Sequence, residues 1–180
     1  MKKRFVLPVI LLSAIFISTR TGTPEIPSVT IGKQTWMAMN FAKDTLGGVY
    51  YKRDSANKNL GRLYSYDAAK NGAPVGWHIP TLNEWIALLD AEGKMGHAAP
   101  NLVTGGVSTM NLSYGGKMSK DSDGKTVFEK KDASGFYWTA TPEGDSKAYA
   151  IRLDTGRVDV GIDAFKRTQY FSVRYVKNIH

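Results

Sequence analysis

The sequence predicts an α+β fold, and three features of the chain lead to that prediction. The 180 residues contain 18 Gly, nine Tyr and seven Pro, which is typical of a turn-rich protein with much β-structure. An amphipathic helix pattern lies in the first half of the chain, and several short strand patterns follow it. Helices that precede a run of antiparallel strands indicate the α+β class.

Residues 1–20 are typical of a secretory signal peptide. Three basic residues at positions 2–4 precede an apolar run over residues 5–17, and this order is the pattern of an export leader. A membrane-spanning helix needs about 20 apolar residues, so the run is short for a permanent anchor. We therefore expect an exported protein that keeps no stable membrane span once the leader is removed.

The first elements after the leader follow from proline and glycine positions. Residues 21–28 are predicted to be a linker, because Pro24 and Pro27 oppose regular structure. Residues 29–39 predict two strands joined by a turn at Gly32. Residues 67–71 predict a short helical turn, for which Gly72 is the expected left-handed cap.

The strongest helix signal begins at Thr81. Thr81 and Glu84 match the capping box, in which each residue's side chain accepts a hydrogen bond from the other's backbone amide. Apolar residues then recur at helical spacing, and Gly93 is placed to end the helix. The sequence predicts an amphipathic helix over residues 81–92 whose sheet-facing side chains are Leu82, Trp85, Ile86 and Leu89.

The second half of the chain is predicted to be rich in loops and short antiparallel strands. Strand candidates lie at residues 126–128, 135–140, 148–153 and 157–160, and residues 154–156 are expected to join the last two as a tight hairpin turn. Residues 170–176 alternate in character and predict a closing strand.

The formal net charge of +8 does not indicate nucleic-acid binding. Part of this charge lies in the leader, and the densest remaining basic pairs, at 130–131 and 166–167, each have an aspartate within three residues. Nucleic-acid-binding proteins concentrate Lys and Arg on one face or helix. We therefore expect no nucleic-acid partner.

The residue types that hold metals are scarce in this chain. It has no cysteine, which excludes disulfides, thiolate metal sites and a thiol nucleophile. The three histidines share no metal-ligand spacing. An EF-hand alignment of Asp121 and Asp123 would place Lys130 where a bidentate glutamate is required. We expect no metal and no cofactor.

Several segments, taken in order, resemble the Fibrobacter succinogenes major paralogous domain family. They are VTIGKQTWMAMN (29–40), GRLY (61–64), GWHIPTLNEW (76–85), GFYWTAT (135–141) and FSVR (171–174). The resemblance covers residues 29–177, and it implies an exported bacterial domain of the kind found in Bacteroidetes and Fibrobacteres. It also implies a C-type lectin-like fold with about two short helices, an antiparallel twisted sheet and a loop-rich second half. The periplasm, the outer-membrane surface and the extracellular space are the expected locations.

The tryptophans and the capping pair are predicted to be structural. Tryptophan is highly buried on average, so core packing is favoured over a carbohydrate-stacking platform. The residues assigned this structural role are Trp36, Trp77, Thr81, Glu84, Trp85 and Trp138.

We expect a cell-surface or periplasmic binding and adhesion module that recognises a glycan or a protein and has no catalytic activity. Calcium-dependent sugar binding is disfavoured, because the Glu-Pro-Asn or Gln-Pro-Asp and Trp-Asn-Asp motifs of the calcium-binding lectins are missing. Two alternatives stay open. One is a metal-dependent enzyme of the formylglycine-generating type with replaced ligands, which residues 80–85 resemble; the other is a purely structural envelope protein.

The expected ligand-binding residues lie between positions 157 and 170, because the resemblance places the recognition face on the later loops and strands. Aromatic side chains among hydrogen-bonding groups suit glycan or protein recognition. The residues are Asp159, Asp163, Phe165, Arg167 and Tyr170. In the alternative interpretation, Phe165 and Tyr170 are core residues that flank a charged turn.

Overall fold

The computed structural model describes residues 25–178, and these form two β-sheets, three α-helices and three short 3-10 helices. The expected leader (residues 1–20) lies outside the described residues, as does the start of the expected linker. The helices are α1 (Tyr66–Asn71), α2 (Leu82–Ala91) and α3 (Ala99–Leu102), and the 3-10 helices are Asp44–Leu46, Tyr51–Arg53 and Ser55–Leu60. The strands are β1 (Ser28–Ile31), β2 (Gln34–Met37), β3 (Gly115–Lys120), β4 (Thr126–Lys131), β5 (Ser134–Glu143), β6 (Lys147–Asp154), β7 (Gly161–Lys166) and β8 (Val176–Asn178). Short helices with two sheets are consistent with the predicted α+β class.

The smaller sheet joins the two ends of the domain in the order β1-β2-β8. The β1–β2 hairpin turns at Gly32, whose φ of 59° favours glycine, as the sequence predicted. The linker prediction is wrong at its end, because Ser28 already belongs to β1. Pro27 also belongs to the domain, since its carbonyl accepts a 2.8 Å hydrogen bond from the Ala38 amide.

Helix α1 confirms the helical turn but not its predicted cap. Ser65 is the N-cap, and its hydroxyl accepts from the Ala68 amide at 3.3 Å. Gly72 has a φ of −94°, so it is not left-handed. Glycine is required at position 72 because there is no room for a side chain. A Cβ here would collide with Leu46 and would come within 2.9 Å of the Tyr175 hydroxyl.

Helix α2 confirms the capping box and the predicted helix, and it corrects one buried position. Thr81 is the N-cap, and both capping-box hydrogen bonds with Glu84 are formed. Trp85 and Leu89 are buried as predicted, whereas Ile86 is only half-buried and Leu88 takes the core position. Leu82 is also half-buried, and it packs against the core cluster that contains Leu88 and Leu89.

The larger sheet has the order β4-β3-β5-β6-β7, and its central strand β5 is buried on both faces along residues 134–139. Alternate residues of β5 enter two different hydrophobic clusters: Tyr137 packs with Trp36 and Trp85, while Trp138 packs with Phe171. Most pairs are antiparallel, and β3 meets β5 in a short parallel contact.

The predicted strand at residues 157–160 is wrong, and the last strand of the larger sheet is β7. The chain does turn after β6, since the Arg157 amide donates to the Asp154 carbonyl at 3.1 Å. Residues 158–160 then bond to the region after α2: the Ala99 amide donates to the Val158 carbonyl, and the Val160 amide to the Met95 carbonyl. These distant partners delay strand pairing until Gly161, so the tight hairpin is not formed.

The predicted closing strand is also different in form. Tyr170, Phe171 and Ser172 make isolated bridges to three different parts of the chain, and regular pairing begins only at β8. All positions from Phe171 to Val176 are buried, including the polar Ser172 and Arg174. The alternation therefore does not mark a solvent-facing side, because both sides of this segment are covered.

Among the described residues, no helix has the length and apolar character that a membrane span requires.

Candidate ligand-binding cleft

Two of the five predicted ligand-binding residues lie on one face of β7. Asp163 and Phe165 are two positions apart on this strand, so their side chains point the same way. Asp163 forms a 3.0 Å ion pair with Arg152. Phe165 packs edge-on against Phe136 and Phe171, with ring centroids 5.6 and 4.9 Å apart. These contacts favour the alternative interpretation, in which Phe165 is a packing residue.

The other three predicted residues lie outside β7, and each has intramolecular partners. Asp159 forms a bidentate pair with Arg157, with N–O distances of 2.8 and 2.9 Å. The Arg167 guanidinium lies 4.9 Å from the centre of the Tyr66 ring, and Tyr170 packs in a small cluster with Met118. Ligand binding by these residues stays a prediction.

Three of the tryptophans that were predicted to be structural, Trp36, Trp85 and Trp138, are fully buried. Trp138 donates its indole N–H to the Tyr64 carbonyl at 2.9 Å. Within residues 25–178, the indole N–H groups of Trp36 and Trp85 have no hydrogen-bond partner. Trp77 is half-buried, and the Lys177 ammonium lies 5.0 Å from its ring centre.

The capping pair has a third member, His78. Its Nε2 lies 2.7 Å from Glu84 Oε1, while Glu84 Oε2 accepts from the Thr81 amide at 2.7 Å. Burial by itself would raise the pKa of Glu84, but the hydrogen bonds from Thr81 and His78 outweigh it and lower the pKa below its usual range. Both carboxylate oxygens of Glu84 are therefore engaged in holding the start of α2.

Arg174 is a buried charge held by neutral acceptors. Only 1% of its surface is exposed, and it lies just before β8. Its Nε donates to the Asn40 side chain, Nη1 to the Met37 carbonyl and Nη2 to the Asn111 carbonyl, each at 2.7 Å. Burial lowers the pKa of Arg174 to about 10, so the group still carries its charge at neutral pH. These bonds tie together three distant parts of the chain.

Arg174 lies in the wall of a cleft of about 390 Å³, within the usual size range of small-ligand sites. The segment that follows β2, the Ser55–Leu60 helix and the loop between α3 and β3 supply the remaining walls. The polar lining residues besides Arg174 are Asn40, Lys58, Asn59, Thr104, Asn111 and Ser113. Leu60 and the exposed Met39 add apolar surface.

Local backbone requirements shape one wall of the cleft. Gly61 ends the Ser55–Leu60 helix with a φ of 75°, and a Cβ there would collide with Asn40. The Asn40 side-chain amide donates to the Leu60 carbonyl at 2.8 Å and to the Ser113 hydroxyl at 3.0 Å. Asn40 thereby fixes both the wall and the position of Arg174.

The charge of the cleft is positive. None of the described residues that line it is Asp or Glu, and two, Lys58 and Arg174, are basic. Neither of the two pairs with a carboxylate within residues 25–178. The segment 43–62, which supplies one wall, has five basic and two acidic residues. Such a site can hold a polar or anionic group by hydrogen bonds and charge.

The sequence did not identify this cleft as a site. Arg174 and Asn40 stood out only as parts of the segments that carried the family resemblance. One available signal was the charge of Arg174 inside the otherwise uncharged run over residues 170–176, because a charged residue within a buried strand is uncommon and marks a special environment.

The comparisons with known proteins give one match. Residues 29–177 match the Fibrobacter succinogenes major domain. The chain belongs to this family. No curated protein and no solved structure gives a significant match to the chain.

Three of the segments that resembled this family meet at the cleft. Asn40 ends the first of them, Gly61 begins the second and Arg174 ends the last. The contacts among Asn40, Gly61 and Arg174 therefore explain in physical terms why these segments carry the residues they do.

Among the described residues, no group of three His, Asp or Glu side chains is arranged to hold a metal ion.

Proposed function

We propose that this member of the family is an exported binding and adhesion module that recognises a surface glycan or a protein through the cleft at Arg174. The observation that carries the proposal is the buried guanidinium in the wall of a polar cleft of about 390 Å³. A few fixed polar groups in a concave site orient a ligand, while apolar surface supplies contact area. The periplasm, the outer-membrane surface and the extracellular space are the proposed locations.

A C-type lectin-like arrangement is part of this proposal. The pairing of β2 with β8 supports it, because the two chain ends meet in one sheet in that fold. The long irregular segment between α3 and β3 supports it as well, because it leaves a loop beside the cleft. In such a scaffold, the sheets hold the loops in position and the loops contact the ligand.

The absence of catalysis is also proposed, and the role of the His78–Glu84 pair supports it. This pair is the arrangement that most resembles acid–base machinery, yet Glu84 accepts from Thr81 at the start of α2 with one oxygen and contacts His78 with the other. Metal analysis of the purified protein tests the point. Stoichiometric copper or iron would overturn the proposal in favour of a metal-dependent enzyme of the formylglycine-generating type.

Binding of the purified chain to a glycan array and to bacterial surface fractions tests the main proposal. Asn59→Ala and Thr104→Ala alter the cleft, and Asp163→Ala is the matched control on β7. We expect the two cleft variants to weaken whatever binding is found and the control to retain it.

The opposite pattern, with binding lost only in Asp163→Ala, would assign recognition to β7 and contradict the cleft. If no glycan or surface fraction is bound, the result would contradict a binding function and favour a structural envelope protein.

A further inference from the structure

We infer that the ligand of the Arg174 cleft carries a carboxylate, as a saccharide built from uronic acids does. This inference rests on the proposed function and specifies the ligand class of the same site. It begins from the charge of the lining, in which Lys58 and Arg174 are basic and no described lining residue is acidic.

Arg174 has hydrogen-bonding capacity left for such a ligand. A guanidinium has five N–H groups, and three of them donate to Asn40, Met37 and Asn111. The Tyr137 hydroxyl is a further side-chain hydrogen-bonding partner of the guanidinium, which leaves one N–H for a ligand. All of these partners are neutral, so the buried positive charge has no counter-ion within residues 25–178. A carboxylate accepts from a guanidinium better than any neutral group does.

The rim of the cleft is also suited to a carboxylate. Lys58 is exposed, and within residues 25–178 its ammonium makes no ion pair. The wall segment 43–62 carries a net charge of +3, from five basic and two acidic residues. Such a field attracts anionic ligands and excludes cationic ones.

The remaining lining favours a saccharide over a peptide. Asn59, Thr104 and Ser113 present an amide and two hydroxyls, which match the closely spaced hydroxyls of a sugar ring. Beyond Met39, the cleft borders an apolar groove formed by Ile26, Met37 and Phe41, on which the C–H face of a ring can lie. A peptide bound mainly through its backbone would need a free strand edge.

Calorimetric titration with trigalacturonate and with its fully methyl-esterified counterpart tests the inference, because the two share the same sugar backbone while the ester lacks the negative charges and carries small methyl groups in their place. We expect the acid to bind the full chain at least about tenfold more tightly than the ester, as a charged hydrogen bond implies. Raising the salt concentration should weaken the binding of the acid and not that of the ester, since exposed charges are screened by salt.

Lys58→Gln is the matching protein variant, and Lys125→Gln, in the β3–β4 turn, is its control with the same charge change. We expect Lys58→Gln to weaken trigalacturonate binding by about three- to tenfold and to leave the ester unaffected. Lys125→Gln should change the affinity for neither trigalacturonate nor its ester. Both lysines are exposed, so neither substitution is expected to disturb folding.

Equal affinity for acid and ester, or equal effects of the two lysine variants, would overturn the inference. So would the absence of trigalacturonate binding. If a neutral glycan or a protein binds instead and Asn59→Ala weakens it, the proposed function stands and only the carboxylate inference fails.

Discussion

Arg174 shows how a single residue can be both a structural centre and part of a site. An ionised group in the interior loses its hydration, and this loss is recovered only when good hydrogen bonds replace the water. Three bonds of 2.7 Å to Asn40, Met37 and Asn111 do so here. The three acceptor oxygens also need Arg174, because without it they would be buried with no hydrogen-bond donor in its place.

We predict that Arg174→Gln lowers the free energy of unfolding by about 3 kcal/mol or more, because several buried acceptors lose their donor at once. Urea unfolding followed by tryptophan fluorescence measures this. Arg157→Gln is the control, because Arg157 forms an exposed ion pair and its loss should change stability little. Equal effects of the two substitutions would show that the Arg174 bonds contribute nothing beyond a surface pair.

Glu84 gives a pH dependence whose sign follows from its environment. Its pKa is lowered in the folded state, so its contribution to stability is fully present above the unfolded value of about 4.3 and is lost as pH falls through the folded pKa. We therefore predict that the native protein loses stability as the pH falls below about 4.3, and that Glu84→Gln loses less over the same range. Unfolding free energies measured at several pH values test this.

The control for that measurement is Glu143→Gln, an exposed substitution of the same type at the end of β5. It should keep the native pH dependence. If Glu84→Gln and the native protein instead gave parallel curves, the capping box would not be the source of the acid lability.

At the scale of elements, the elements specified by local signals were predicted and those specified by distant contacts were not. Helix α2 follows from Thr81, Glu84 and Gly93, which lie within 13 positions of one another. The start of β7 depends instead on Met95 and Ala99, which form hydrogen bonds with residues 158–160 although they lie far from them in sequence. The turn residues at 154–156 predicted a tight hairpin. The hydrogen bonds of residues 158–160 to distant residues prevent that hairpin from forming.

Strand β7 also decides the role of Phe165. This ring is half-buried and packs edge-on against Phe136 and Phe171. We predict that Phe165→Ala lowers the free energy of unfolding by about 2 kcal/mol, somewhat less than a fully buried aromatic would, and lowers the melting temperature by several degrees. Calorimetry measures both quantities.

Asp163→Ala is the control on the same face of β7, and its more exposed ion pair with Arg152 should contribute little. An unchanged melting temperature for Phe165→Ala, together with loss of ligand binding, would contradict the packing role. It would instead support the sequence-based prediction that Phe165 recognises a ligand.

At the scale of the whole molecule, the proposed export concerns the N-terminal boundary of the domain. Ile26 packs against a core cluster, and the Pro27 carbonyl accepts from Ala38, so processing beyond Ile26 would remove contacts of the domain. We predict that N-terminal sequencing of the exported protein begins between residues 19 and 26. An intact Met1 in the exported protein would contradict a cleaved leader.

The cleft could not be predicted from sequence, because its parts are distant along the chain. Asn40 and Arg174 are 134 positions apart, and the Ser55–Leu60 helix and Thr104 come from separate segments. Apart from the charge of Arg174 within an uncharged run, each residue alone resembles an ordinary loop or strand position. Only the assembled sheets bring a buried guanidinium, an exposed lysine and several amides to one concave surface.

The central claim is that ligand recognition takes place at the Arg174 cleft, and NMR mapping of backbone amides during titration tests it most directly. With trigalacturonate as the probe, the account predicts that the largest shifts fall on Lys58, Asn59, Gly61 and Thr104, while Asp163 and Phe165 on β7 stay unchanged. Saturable shifts confined to β7, with the amides of the cleft unmoved, would contradict it.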